Sequence, residues 1–228
     1  MKIVICTIKS WNIANAYKLR KRNVSIFILT AKKELTLAKI KKINPEYIFF
    51  PHWSWLIPEE IYKKFKCVIF HMTDVPFGRG GTPLQNLIER GVRYTKISAI
   101  KAIGELDAGP VYLKRNLTLT GSAEKIYRRA SHIVFSNMIP LIIDKNLVPV
   151  PQKGRVVMFK RRHPRNSRLP KRVKALDGIY DFIRMLDAEG YPKAFIDYGD
   201  IHIEFSSAYR SDGMVIAKAC IRKKKNLV

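Results

Sequence analysis

Four short apolar runs separated by helical patterns occupy the first 70 residues and leave few folds open. They are IVIC within residues 2–7, VSIFIL at 24–29, YIFF at 47–50 and CVIF at 67–70. Each is rich in β-branched or aromatic apolar residues and too short for a helix, and apart from Ser25 none carries a small polar residue, a pattern of strands covered on both faces. Helical patterns fill residues 12–20 and 35–42. A third helix opens at Pro58 and runs to 65, where a proline and two glutamates, Glu59 and Glu60, suit a first turn. This rhythm predicts an α/β protein with a Rossmann-like, doubly wound, mostly parallel sheet.

In such sheets ligands bind beyond the carboxyl ends of the strands. That directs attention to Pro51-His52-Trp53-Ser54-Trp55 and to the Pro/Gly-rich stretch 71–83, which begins at His71. A helix is predicted over 84–89. Extended segments at 95–103 and 110–119 flank a turn, Gly104-Glu105-Leu106-Asp107-Ala108-Gly109. Ser122 is a suitable N-cap for a long amphipathic helix reaching 143.

Composition changes after residue 150. Residues 160–174 hold eight basic residues in fifteen, two prolines and no acid, as a linker or surface strip does. A helix at 177–186 and strands at 194–198, 201–206 and 214–222 follow. The predicted division is a catalytic domain at 1–150, a basic linker at 151–176, and a small helix-plus-β appendage at 177–228.

The formal charge is +25, from 43 basic and 18 acidic residues, which favours an anionic partner such as a nucleic acid or a nucleotide. The three cysteines are far apart and form no CxxC or Cys/His cluster, so neither a metal site nor a disulfide framework is expected. No stretch of about 20 apolar residues suggests a membrane span, and no signal peptide is legible. A cytoplasmic protein without a membrane partner is the expectation.

Taken singly, a histidine at a strand end and an aspartate in a glycine-flanked turn are ordinary structural residues. Together they are more informative. Ile69-Phe70-His71-Met72-Thr73-Asp74-Val75-Pro76 is followed by Arg79-Gly80 and Pro83, and Asp107-Ala108-Gly109 begins 36 residues after His71. This array resembles the 10-formyltetrahydrofolate-dependent formyltransferase superfamily, which includes the methionyl-tRNA and sugar N-formyltransferases. Residues 177–184 and Pro192-Lys193-Ala194-Phe195 resemble the start of the C-terminal domain of those two groups, with Lys193 where they carry glycine.

The resemblance implies direct formyl transfer without a metal. His71 would stabilise the oxyanion, with Asp107 supporting it by charge and helping to take the amine proton. Trp53, Trp55 and Gly104 would meet the folate. Thr73, Arg79, Gly80, Arg161 and Arg162 would meet the acceptor. Because the chain is shorter than the tRNA-type enzymes, the expected acceptor is the amine of a nucleotide-linked deoxyaminosugar, with tRNA the lesser candidate and a homodimer possible through the C-terminal strands.

One departure stands out: the family's asparagine, an oxyanion donor, falls on Ile69. Losing such a donor costs about 10²–10³ in rate. Another donor (Thr73, a Gly80 or Gly81 N–H, or the side chain of Trp55 or His52) can substitute, the enzyme can be slower, or the chain can be a non-catalytic folate- or nucleotide-binding relative.

Overall fold

In the computed structural model, which describes residues 1–19 and 24–224, the four apolar runs are strands: β1 (Lys2–Cys6), β2 (Ser25–Leu29), β3 (Tyr47–Pro51) and β4 (Lys66–His71). They pair in parallel in the order β2-β1-β3-β4. After a short strand, β5 (Phe77–Gly80), β6 (Tyr94–Lys101) runs antiparallel to β4, placing Ser98 opposite His71, and β7 (Val111–Thr118) closes the far edge. The mostly parallel α/β sheet is the one the apolar rhythm predicts. Ile3, Val4, Ile5, Ile48, Phe49 and Val68 are fully buried, so β1 and β3 and most of β4 are covered on both faces, whereas β2, at the sheet edge, leaves Ser25 and Phe27 exposed and is not covered as its apolar run suggests.

Helices α1 (Ser10–Lys18), α2 (Leu37–Ile43) and α3 (Glu59–Tyr62) connect the parallel strands. The last predicted residue of the first helix, 20, lies outside the described residues. The Thr36 hydroxyl caps α2 by accepting from the Lys39 N–H at 3.2 Å, and Asn44 ends it in the left-handed region. After α4 (Pro83–Glu89), the long predicted helix forms as α5 (Ala123–Ile133), one π turn at Val134–Met138, and α6 (Ile139–Lys145). Pro140 explains the wider turn. It has no N–H for the carbonyl four residues back, and its ring crowds that carbonyl in a regular α-helix.

Residues Met1–Gly80, Thr95–Leu117 and Arg128–Met158 form one compact unit. Gly81–Tyr94, Thr118–Tyr127 and the chain from Phe159 form a second. A short strand, β8 (Val157–Phe159), pairs with β5. In the second unit α7 (Leu176–Arg184) packs on α4 and on an antiparallel sheet of β9 (Ala194–Tyr198), β10 (Ile201–Ser211) and β11 (Met214–Lys223), ordered β11-β10-β9. Arg184 is buried there. Its Nε donates to Asp181 at 2.6 Å, and its Nη1 donates to the carbonyls of Leu119 at 2.7 Å and Gly121 at 2.9 Å. A buried guanidinium is tolerated only when so fully partnered.

Candidate active site

Strands β3 and β4 are parallel neighbours, so the segments that leave their carboxyl ends emerge side by side. His71 ends β4 and is buried. Its Nε2 lies 2.7 Å from the carbonyl oxygen of Gly78. A carbonyl can only accept, so Nε2 carries the proton. The other nitrogen, Nδ1, faces Asp107 Oδ2 at 3.5 Å. The two residues that the resemblance pairs are therefore adjacent in space.

Asp107 is held by an unusual turn. Its backbone is left-handed, with φ at 51°, a conformation that Asp tolerates better than most residues. Its Oδ2 accepts from the Gly80 N–H at 3.0 Å. Two residues on, Gly109 presses against β6: a Cβ there would sit 1.8 Å from the Lys101 carbonyl oxygen. Gln152 closes the turn from outside, donating through Nε2 to the carbonyls of Asp107 and Gly109, both at 2.8 Å. Its Oε1 accepts from Arg79 Nε at 3.0 Å and Nη2 at 2.9 Å, while Arg79 Nη1 reaches Glu105 at 3.3 Å. Gln152 and Glu105 carry no sequence signal of this part, because each acts through contacts with residues distant along the chain.

Arg79 is buried and commits its guanidinium to Gln152 and Glu105, so here it braces the Asp107 turn. Thr73 is buried, donates to the Gly78 carbonyl at 3.2 Å, and has its own carbonyl held by Ser98 Oγ at 2.7 Å. The Gly80 N–H serves Asp107, and the Gly81 N–H donates to the Phe159 carbonyl at 3.1 Å. Three of the possible replacement donors are thus already engaged. Ile69 lies two residues before His71, on the same face of β4, and packs against the apolar cluster containing Phe50 and Cys67.

Trp53 packs on that same cluster. It meets Phe50 edge-on at 6.1 Å and Trp55 at 4.8 Å. Its buried Nε1 has no hydrogen-bond acceptor. Trp55 is partly exposed, at 37%. A Cβ on Gly104 would meet the Tyr62 hydroxyl at 3.2 Å. His52 is left-handed, with φ at 58°, and lies edge-on to Trp11. Burial, helped by the Lys9 charge, pushes its imidazole down to about 4.

Arg161 and Arg162 belong to the second unit. Arg162 Nη1 pairs with Glu89 at 2.7 Å and its backbone N–H donates to the Thr82 hydroxyl at 3.1 Å. The Cα and Cβ of Arg161 lie 2.7 and 2.5 Å from where a Gly81 Cβ would stand. Among the described residues no group of three or more His, Cys, Asp or Glu is placed to hold a metal, and no helix is long and apolar enough to cross a membrane.

The sequence profile of the formyl transferase family matches residues 18–140, and that of the methionyl-tRNA formyltransferase C-terminal domain matches 164–222. A solved structure titled methionyl-tRNA formyltransferase from Clostridium thermocellum is 54% identical, covers 98% of this chain and 100% of its own, and superposes with a TM-score of 0.95. The methionyl-tRNA formyltransferase of Rickettsia prowazekii (strain Madrid E) is 23% identical over 75% of this chain, which spans only 57% of that relative's length. A 4-N formyltransferase from Francisella tularensis shares the fold at a TM-score of 0.69, but only 13% of its residues over 98% of each chain.

These likenesses correct the expected acceptor and partner. The nucleotide-linked aminosugar rested on the shortness of the chain, yet a protein of the same extent and over half identical bears the tRNA enzyme's title, while the sugar enzyme is distant. The family's formyl donor is 10-formyltetrahydrofolate, as the resemblance implied. With the mostly parallel sheet, the His71–Asp107 pair and a family profile spanning more than half its length, the chain belongs to the formyl transferase family.

Proposed function

We propose that this protein transfers the formyl group of 10-formyltetrahydrofolate to the α-amino group of methionyl-tRNA. The observation that carries the reading is the 54% identity, over 98% of this chain and 100% of the other, with a protein titled methionyl-tRNA formyltransferase. The C-terminal domain profile and the charge of +25 agree with it, since phosphate contacts dominate affinity for nucleic acids.

The folate derivative supplies a formyl carbon open to attack by an amine. In this reading the amine nitrogen bonds to the formyl carbon while His71 donates a hydrogen bond to the formyl oxygen as negative charge builds there. Asp107 balances the imidazole and takes up the amine proton, directly or through water, and the bond from the formyl carbon to the folate nitrogen breaks as that nitrogen receives the proton, releasing tetrahydrofolate. The Gly78 carbonyl now holds Nε2–H, so that carbonyl yields its place when the formyl oxygen arrives. The residues are compatible with a folate: Trp53 and Trp55 meet edge-on as two apolar ring surfaces, and the buried Trp53 Nε1–H has no acceptor. Ile69 leaves His71 as the side-chain donor on its face of β4.

The test is an assay with purified protein, 10-formyltetrahydrofolate and methionyl-tRNA, with formyl-methionine released from the tRNA and measured by mass spectrometry. Formylation is expected, and His71→Ala and Asp107→Asn are each expected to lose it while remaining folded. Absence of product from wild-type protein that binds the folate would overturn the proposed acceptor. Near-wild-type turnover by either variant would overturn the site.

A further inference from the structure

Strand β2 lies at the end of the sheet order and, among the described residues, pairs only with β1. The N–H and C=O of one strand residue point to the same side, and the side alternates along the chain. The Ser25 N–H donates to the Met1 carbonyl at 2.9 Å, and the Leu29 carbonyl accepts from the Thr7 N–H at 3.0 Å. Ser25, Phe27 and Leu29 therefore turn their backbone groups toward β1. Ile26 and Ile28 turn theirs outward, and among the described residues nothing pairs with them. Edge strands are commonly guarded by a charge, a proline or a bulge of their own. Ser-Ile-Phe-Ile-Leu carries no charge and no proline, and its register with β1 is unbroken.

This edge is the floor of a cavity of about 460 Å³, lined by Ala16 and Tyr17 of α1 and by Lys39 and Ile43 of α2. Right-handed crossovers from β1 out to β2, and from β2 back past β1 to β3, put the two helices on opposite faces of the sheet. The cavity is thus a slot that follows the open edge between them. Its apolar surface meets solvent, since Tyr17 is 73% and Phe27 38% exposed.

Charge says what the slot accepts. Residues 1–19 and 24–45 hold eight lysines and one acid, Glu34. Glu34 is already committed, accepting from the Thr30 N–H at 2.7 Å, the Ala31 N–H at 3.0 Å and Lys39 Nζ at 3.1 Å. Both helices run back against the strands, so their last turns bring Lys18 and Lys42 to the amino end of β2, while Lys32 and Lys33 follow its carboxyl end. All four are exposed, and none forms an ion pair among the described residues. A nucleic acid would satisfy the lysines but would leave the apolar slot and the outward backbone groups unmatched. A polypeptide strand supplies N–H and C=O groups at the right spacing.

We infer that β2 is a docking edge for an extended acidic peptide of a partner protein, which joins the sheet as a further strand. Its backbone pairs with Ile26 and Ile28, alternate apolar side chains enter the slot beside Tyr17 and Phe27, and its carboxylates meet Lys18, Lys39 and Lys42.

The experiment uses the full chain and a short fluorescent peptide of alternating Glu and Val. The peptide is expected to slow amide hydrogen exchange at Ile26 and Ile28 by about tenfold or more, with little change at Phe27, which faces β1. The double variant Lys18→Glu/Lys42→Glu is expected to bind the peptide about tenfold more weakly. Lys218→Glu/Lys223→Glu makes the same change of charge on β11 and is expected to bind as the wild type does. Matched thermal unfolding verifies both folds. Binding without protection of Ile26 and Ile28, an equal loss in the two double variants, or equal protection by an oligouridylate would each overturn the docking edge, as would no binding to the wild type. None of these readouts requires formyl transfer, so the docking edge is tested apart from the acceptor.

Discussion

Gly109→Ala is the sharpest test of how the Asp107 turn is built. Gly109 does not need glycine for its φ. It needs glycine because its Cα lies against β6, where a Cβ would meet the Lys101 carbonyl oxygen at 1.8 Å and its carbon at 3.0 Å. Both atoms are backbone in a paired strand, so the turn itself has to retreat by more than an ångström. Four hydrogen bonds are at stake: Lys101 N–H to the Pro110 carbonyl at 2.9 Å, the two from Gln152 at 2.8 Å, and Gly80 N–H to Asp107 at 3.0 Å. At about 1 kcal/mol each the loss is about 3–4 kcal/mol. That lowers the melting temperature by roughly 10 °C for a chain of this size. A carboxylate displaced by about 1 Å costs on the order of 100-fold in turnover. Gly104→Ala, in the same turn, is the control: its Cβ meets only the far end of Tyr62, at 3.2 Å, and its cost stays below about 1 kcal/mol. Differential scanning calorimetry and the formylation assay read both. If Gly109→Ala melts within about 2 °C of Gly104→Ala and turns over at a similar rate, the steric account of the turn is wrong.

Three further outcomes follow from the same geometry. Arg79→Ala and Gln152→Ala break one shared brace, so each should destabilise by about 1–3 kcal/mol. Together they should cost clearly less than the sum, and an additive double-mutant cycle would show that the brace is not a unit. His52→Asn keeps a residue that accepts the left-handed backbone but removes the titration. The folded imidazole sits at about 4, below the 6.5 of the unfolded chain. Its contribution is therefore complete above pH 6.5 and is lost as pH falls toward 4, by up to about 3 kcal/mol. The variant should flatten the melting temperature over that window, and an unaltered slope would place the acid sensitivity elsewhere. Ile69→Asn restores an amide on the face of β4 that carries His71. It should cost about 1–3 kcal/mol of stability, and a rise in kcat toward 10-fold or more would identify the missing donor as limiting. A folded variant with unchanged kcat would mean that the oxyanion is already fully supported.

The central sheet was legible because strands buried on both faces leave unbroken apolar runs, and β1, β3 and β4 formed where those runs stand. The β5–β8 pair was not, since Phe-Gly-Arg-Gly has neither length nor alternation and acquires its partner some eighty residues later. The His71–Asp107 pairing was implied by the family resemblance that their spacing carries, not by the spacing itself. What holds Asp107 could not: Gln152 lies 45 residues away and looks like any polar residue in a proline-rich stretch. Arg79, expected to meet the acceptor, instead has its donors taken by that glutamine and Glu105. The error over the acceptor came from treating chain length as chemistry. Length says how much surface is available, whereas the choice of amine is made by side chains that composition does not locate.

Gln152 also sets an order of events during synthesis. The chain leaves the ribosome from its N-terminus, so β1 to β7, His71 and Asp107 all emerge before it. Until residue 152 is free, the Asp107 and Gly109 carbonyls lack their donor and the Arg79 guanidinium lacks its principal acceptor. A nascent chain can therefore complete its sheet early, yet cannot lock its carboxylate turn until the segment beyond α6 has folded back. The last part of the first unit to be made is the part that sets the geometry of the pair.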